Sequence, residues 1–232
     1  MTDDEISALC AAAKCGALPP ASTESCAMLW WKLVHRELDI RARFTTAERE
    51  YLLLGHKTPH AEPLCGRRLQ ILESVLSGTG RKTMAYDLGI SPSTVAQALS
   101  AALRDMGLEC SPARIPPLLV VLARAARGER VGSGVTTSLL ELSEGSFVVV
   151  AKDMDCPQFR VLAPAQRAVL RQVVHGSSYA EIAASRRTSS RTVANQVAAA
   201  CRRLGVSGRS DLLQFVVSER PRKRRELVAA AP

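Results

Sequence analysis

The sequence predicts a mainly helical protein made of two successive units, each a helix, a short β-hairpin and three further helices. Three observations carry that expectation. Aromatic residues are only 4% of the 232-residue chain while hydrophobic residues are 47%, which favours small helical packages filled by Ala, Leu and Val over a large sandwich or barrel. Shifting the chain by 98 residues superposes Gly78 on Gly176, Ala85 on Ala183, Thr94 on Thr192, Val95 on Val193, Ala96 on Ala194, Arg104 on Arg202 and Gly107 on Gly205 without a gap. Such self-similarity marks an internal repeat, here of residues 64–108 on residues 162–206. Upstream of each copy, a helical run and two short apolar segments around a polar turn recur in the same order.

Taken in order, residues 1–22, with Pro19 and Pro20, read as a loose N-terminal arm. Residues 23–127 hold a helix over 26–37 with Leu29, Trp30, Leu33 and Val34 inward, strands over 41–44 and 48–54, and the first three-helix set. A helical run over 118–127 follows Pro116 and Pro117. Residues 128–158 read as a linker, with Gly128, Gly132 and Gly134, and a second hairpin of 139–142 and 147–150 around Ser143 to Ser146. Residues 159–218 form the second three-helix set, and residues 219–232 a tail with Arg220, Arg222, Lys223, Arg224 and Arg225.

Within the second set, residues 165–175 predict a helix with Val169, Leu170 and Val173 inward, stopped at Gly176, which can take the left-handed cap. Residues 179–185 predict a short helix carrying Ile182 and Ala183, and Ser189 caps a third. On that third helix Val193, Val197, Ala200 and Leu204 recur at helical spacing as one buried face. Arg191, Asn195, Ala198 and Arg202 recur with the same spacing on another. A small residue allows close approach to a groove, Asn can pair with adenine, and Arg can reach guanine or phosphate.

Charge supports the same region. The formal net charge is +9, yet residues 159–232 hold 14 Lys and Arg against 4 Asp and Glu, while residues 1–158 hold 17 against 18. Basic charge concentrated in one segment is the electrostatic footprint of a polyanion-binding module. Seven scattered cysteines without a C-x-x-C pair argue for reduced thiols and against a disulfide framework or a structural zinc site. With an acidic start, Asp3, Asp4 and Glu5, and no long apolar run, the expectation is a cytoplasmic protein outside any membrane.

These residues resemble a known signature. Leu162, Pro164, Arg167 and Leu170, then Gly176, Ala180-Glu181-Ile182-Ala183, Ser189-Ser190-Arg191-Thr192-Val193 and Asn195, then Arg203-Leu204-Gly205-Val206 and Arg209-Ser210-Asp211-Leu212 follow one another in the order and spacing of the LuxR (NarL/GerE-like) helix-turn-helix domain, over about 56 residues. The resemblance implies a bacterial transcriptional regulator. It also implies that the helix from Arg191 enters the major groove of duplex DNA and that residues 211–217 mediate dimerisation. The DNA-binding residues it implies are Ser189, Arg191, Thr192, Asn195, Gln196, Ala198, Arg202, Arg203 and Arg209. Ala194 and Gln196 depart from the basic residue and His that many members carry there, and Arg186 and Thr188 stand where many keep Leu and Ile. These changes bear on base specificity and on packing of the turn.

The first set resembles the family in Lys82, Met84-Ala85, Leu88-Gly89-Ile90-Ser91-Pro92-Ser93-Thr94-Val95 and Met106-Gly107-Leu108. Its outer stripe is Ser93, Gln97, Ser100 and Arg104, with one positive charge where the second has two. Lys82, Ser93, Thr94, Gln97 and Arg104 are therefore candidates for weaker DNA contact, and the set is expected to serve packing or dimerisation more than base reading. His56, His60 and Cys65 lack a fourth ligand for zinc, and Asp153, Asp155 and Cys156 read as loop decoration. With neither a phosphate loop nor a nucleophile–base pair in evidence, the sequence predicts no enzyme, metal or cofactor. Duplex DNA is the expected partner, in tandem or as a homodimer. The rival expectation is an adaptor that contacts RNA polymerase or another regulator.

Overall fold

The computed structural model describes residues 20–45, 49–56, 62–109, 114–131, 137–141, 147–152 and 157–218. Residues 1–19, 46–48 and 142–146, His60, Gly132, Gly134, Asp153, Asp155, Cys156 and residues 219–232 lie outside the described residues.

The first unit opens with α1 (Thr23–Val34), capped by Ser22, whose hydroxyl accepts the Ser25 N–H at 3.0 Å. It ends three residues before the predicted bound, where His35 closes the last turn and Arg36 takes φ 58°. Strands β1 (Leu38–Thr45) and β2 (Arg49–His56) pair antiparallel and are longer than predicted. Helices α2 (Gly66–Leu76), α3 (Arg81–Asp87) and α4 (Pro92–Asp105) follow. Next come α5 (Pro117–Ala126), then β3 (Thr137–Glu141) and β4 (Phe147–Lys152). The second set is a short 3-10 turn (Pro157–Val161), α6 (Pro164–Val174), α7 (Tyr179–Ser185), α8 (Ser190–Leu204) and α9 (Arg209–Val217). Both α6 and α7 start 98 residues after α2 and α3 and have the same lengths, and α8 starts 98 residues after α4.

The two hairpins join in one four-stranded antiparallel sheet of order β1-β2-β4-β3, a pairing that no local pattern announces. Tyr51 faces Val150 and Leu52 faces Val149 across its centre. Because Val149 and Val150 stand 98 residues after Tyr51 and Leu52, this central pairing has a local two-fold symmetry. The symmetry stops at the sheet. Gly107 (φ 84°) follows α4, and a Cβ there would collide with the Ile40 carbonyl of β1, whereas the corresponding Gly205 faces open space.

One buried core runs through both units. Leu29 and Leu33 of α1, Leu52 and Leu54 of β2, Leu99 and Leu103 of α4, Leu118 to Leu122 of α5, Leu170 of α6 and Leu212 and Val217 of α9 all belong to it. Helix α5, apolar round its whole circumference, packs on α1, α2, α9 and the central strands, as such a helix must. A polar joint sits at its start. Glu50 of β2, 2% exposed, accepts two N–H bonds from Arg43, at 3.0 and 2.8 Å, and the Leu118 N–H at 3.0 Å. Arg43 also donates to the carbonyls of Arg114 and His175, both at 3.1 Å, so one guanidinium ties β1 to the C-terminal end of α6. Burial pushes the Glu50 carboxyl above its ordinary range, and Arg43 pulls against that rise.

Candidate nucleic-acid interface

Helix α8 is placed by its neighbours on the chain. Val193, Val197, Ala200 and Cys201 are buried against α6, α7 and the 3-10 turn, and Leu204 is half-buried on the same core. The Ser189 hydroxyl accepts the Thr192 N–H at 3.0 Å, which satisfies a donor of the first turn, and Gly205 (φ 69°) ends the helix in the left-handed conformation. The predicted periodicity therefore holds along the helix. Before it, the short α7 is held by a reciprocal pair: the Ser178 hydroxyl accepts the Glu181 N–H at 3.2 Å while the Glu181 carboxylate accepts the Ser178 N–H at 2.7 Å. Those bonds to Ser178, with help from Arg114, hold the Glu181 carboxyl below the usual range.

Ser189, Arg191, Thr192, Asn195, Ala198 and Arg202 are exposed along α8. Arg203 is exposed too, but its guanidinium donates to Gln166 Oε1 of α6 at 3.3 Å. Gln196 is half-buried, with its Oε1 out of contact with solvent. Arg209 lies elsewhere: half-buried in the first turn of α9, it lines a broad cleft of about 930 Å³ together with Arg41, Arg43, Gly107, Arg114, Gly176 and Tyr179. The structure thus brings the stripe of Arg191, Asn195, Ala198 and Arg202 together on one exposed face and sets Arg209 apart from it. It adds Arg187 and Ser190, exposed beside the N-terminal end of α8. Their adjacency to the Ser189 cap was the available signal.

Arg187 has φ 51°, and its counterpart 98 residues earlier is Gly89, with φ 62°. Both turns therefore need a left-handed residue, which glycine supplies freely and arginine with strain. This is the turn in which Arg186 and Thr188 replace Leu88 and Ile90.

In the first set, Ser91 caps α4 by accepting the Thr94 N–H at 3.0 Å, with Pro92 at the first helical position. Val95, Leu99, Ala102 and Leu103 are buried, while Lys82, Ser93, Thr94, Gln97 and Arg104 are exposed. The exposed stripe is therefore built on the same plan and is poorer in charge. His56 ends β2 and Cys65 precedes α2. Among the described residues no group of three or more His, Cys, Asp or Glu is placed to hold a metal ion. Nor is any described helix long and apolar enough to cross a membrane.

Residues 160–216 match the family "Bacterial regulatory proteins, luxR family" and form a LuxR-type helix-turn-helix domain. Comparison with curated proteins and with solved structures yields no match.

Proposed function

We propose that the chain is a transcriptional regulator that binds duplex DNA through α8 laid in the major groove, with residues 66–105 as a second, divergent helix-turn-helix. The observation that carries it is the split of α8 into a buried face of Val193, Val197, Ala200 and Cys201 and an exposed face of Arg191, Thr192, Asn195, Ala198 and Arg202. A helix positioned by its apolar face and open on the other can approach base edges. Asn195 and Arg191 are assigned base reading, Arg202 and Arg187 phosphate contact, and Arg203 a positioning role through Gln166. We place Arg209 at the junction of the units and outside the groove. No enzymatic role or cofactor is proposed, and the working compartment is the cytoplasm, at the nucleoid.

For the first set the near-neutral face of Ser93, Thr94 and Gln97 favours a lesser part in base reading. Contact with RNA polymerase or another regulator is the alternative use of that face. Retention of the full chain on duplex DNA at graded salt tests the proposal. If several phosphates are neutralised, log K falls with log salt by roughly 0.9 per phosphate. Deleting residues 219–232 should flatten the slope and leave sequence preference intact, and an unchanged slope removes the tail from the interface. Absence of salt-dependent retention refutes the DNA reading and leaves the adaptor.

A further inference from the structure

Helix α9 carries a broad apolar face, and every residue along it is buried or half-buried. Leu212, Leu213, Val216 and Val217 are buried, and Phe215 packs partly on the core. An apolar face that broad needs cover, and the chain itself supplies it: α9 packs on α6 of its own set and on α2 and α5 of the first unit. Gln214, 5% exposed, donates to the Leu76 carbonyl at the end of α2 and accepts from Arg124 of α5 at 3.2 Å. Arg124 also donates to Ser218 Oγ at 3.2 Å. A Cβ built on Gly78, just past α2, would lie 2.7 Å from Gln214 Cγ, so the approach of the two units depends on glycine there. Helix α5 packs on α2 as α9 packs on α6, and the two packing helices meet each other. The apolar surface of the last helix is therefore occupied within one chain.

The two exposed helices held by this contact are also unlike. Ser93, Gln97 and Arg104 of α4 stand where α8 has Arg191, Asn195 and Arg202. Gly107 is pressed on β1 while Gly205 is open, so the sets are seated differently on the sheet. A palindromic operator mirrors a two-fold protein, and a two-fold dimer needs the same free patch on both copies. This chain meets neither condition at α9.

Resting on the DNA reading above, we infer that the chain engages duplex DNA as a monomer, with its first unit in the place that a second copy would take at α9. The ligand is then a non-palindromic site: one base-specified block under α8, flanked on one side by duplex that the first unit contacts with little base preference. The test takes the full chain and a pool of short duplexes with a randomised centre, selects and sequences the retained molecules, and measures the mass of the complex by light scattering. One chain per duplex and a single asymmetric block are expected. Two chains per duplex, or selected sites forming an inverted repeat, overturn the inference and leave the DNA reading standing. Retention of no duplex overturns the DNA reading and the inference together.

Discussion

At the scale of single residues, the joint formed by Arg43 and Glu50 ties β1 and β2 to the start of α5 and the end of α6. Glu50 is buried and holds both Arg43 and the start of α5. Glu50→Ala leaves the 18% exposed Arg43 side chain without its carboxylate, and breaking a buried pair in this way costs about 3–5 kcal/mol. A lowered urea midpoint would register it, and an unchanged midpoint contradicts the joint. Arg187 offers the opposite prediction. Its left-handed backbone costs about 1–2 kcal/mol, offset by the roughly 0.5–1 kcal/mol entropy of glycine. Arg187→Gly should therefore raise the thermal midpoint, and a fall would show that the side chain stabilises the turn by more than it strains it. Glu181 sets a pH dependence. Its carboxyl is lowered by the bonds to Ser178, so its contribution is present above the ordinary value of 4.5 and is lost as pH falls through the lowered one. Glu181→Gln should match the parent most closely in acid and fall behind toward neutrality. A gap that is constant with pH would mean that the charge plays no part.

At the scale of elements, the caps and periodicities were written locally. Ser189, Ser91-Pro92 and Gly176 marked helix ends, and α7 falls on the predicted residues 179–185. The spacing of Val193 and Val197 located the buried face of α8, and the opposite stripe with it. Pairings between distant segments were not legible. Tyr51 and Val150 carry no mark of the strand each will meet, and nothing in the apolar run of α9 says that α2 and α5 will cover it. The surroundings of Arg209 were not legible for a related reason: its position in the motif is local, while the cleft it lines also draws Arg41 and Arg43 of β1, Gly107 and Arg114 from the first unit. The contrast between α4 and α8 makes a prediction at this scale. Gln97→Ala should change affinity for the preferred duplex little, because the stripe around it carries the single charge of Arg104 where α8 has two arginines. Should it abolish binding, the first set is a base reader of equal rank.

At the scale of the whole molecule, one body carries two exposed helices on a shared sheet and a shared core, and only the second faces solvent with two arginines around an amide. The whole of the chain's basic excess lies in residues 159–232, so long-range attraction and base reading are assigned to the same third of the sequence. The first unit packs on α9 through α2 and α5. The central claim is that α8 lies in the groove, and Asn195 tests it most directly because it is exposed mid-helix and its loss removes no core contact. Asn195→Ala in the full chain, at fixed salt and with circular dichroism confirming the fold, should weaken binding to the preferred duplex by about 1–3 kcal/mol while leaving affinity for random duplex nearly unchanged. Equal affinity of parent and variant for the preferred duplex, joined by the same result for Arg191→Ala, would contradict the account and put α8 outside the groove.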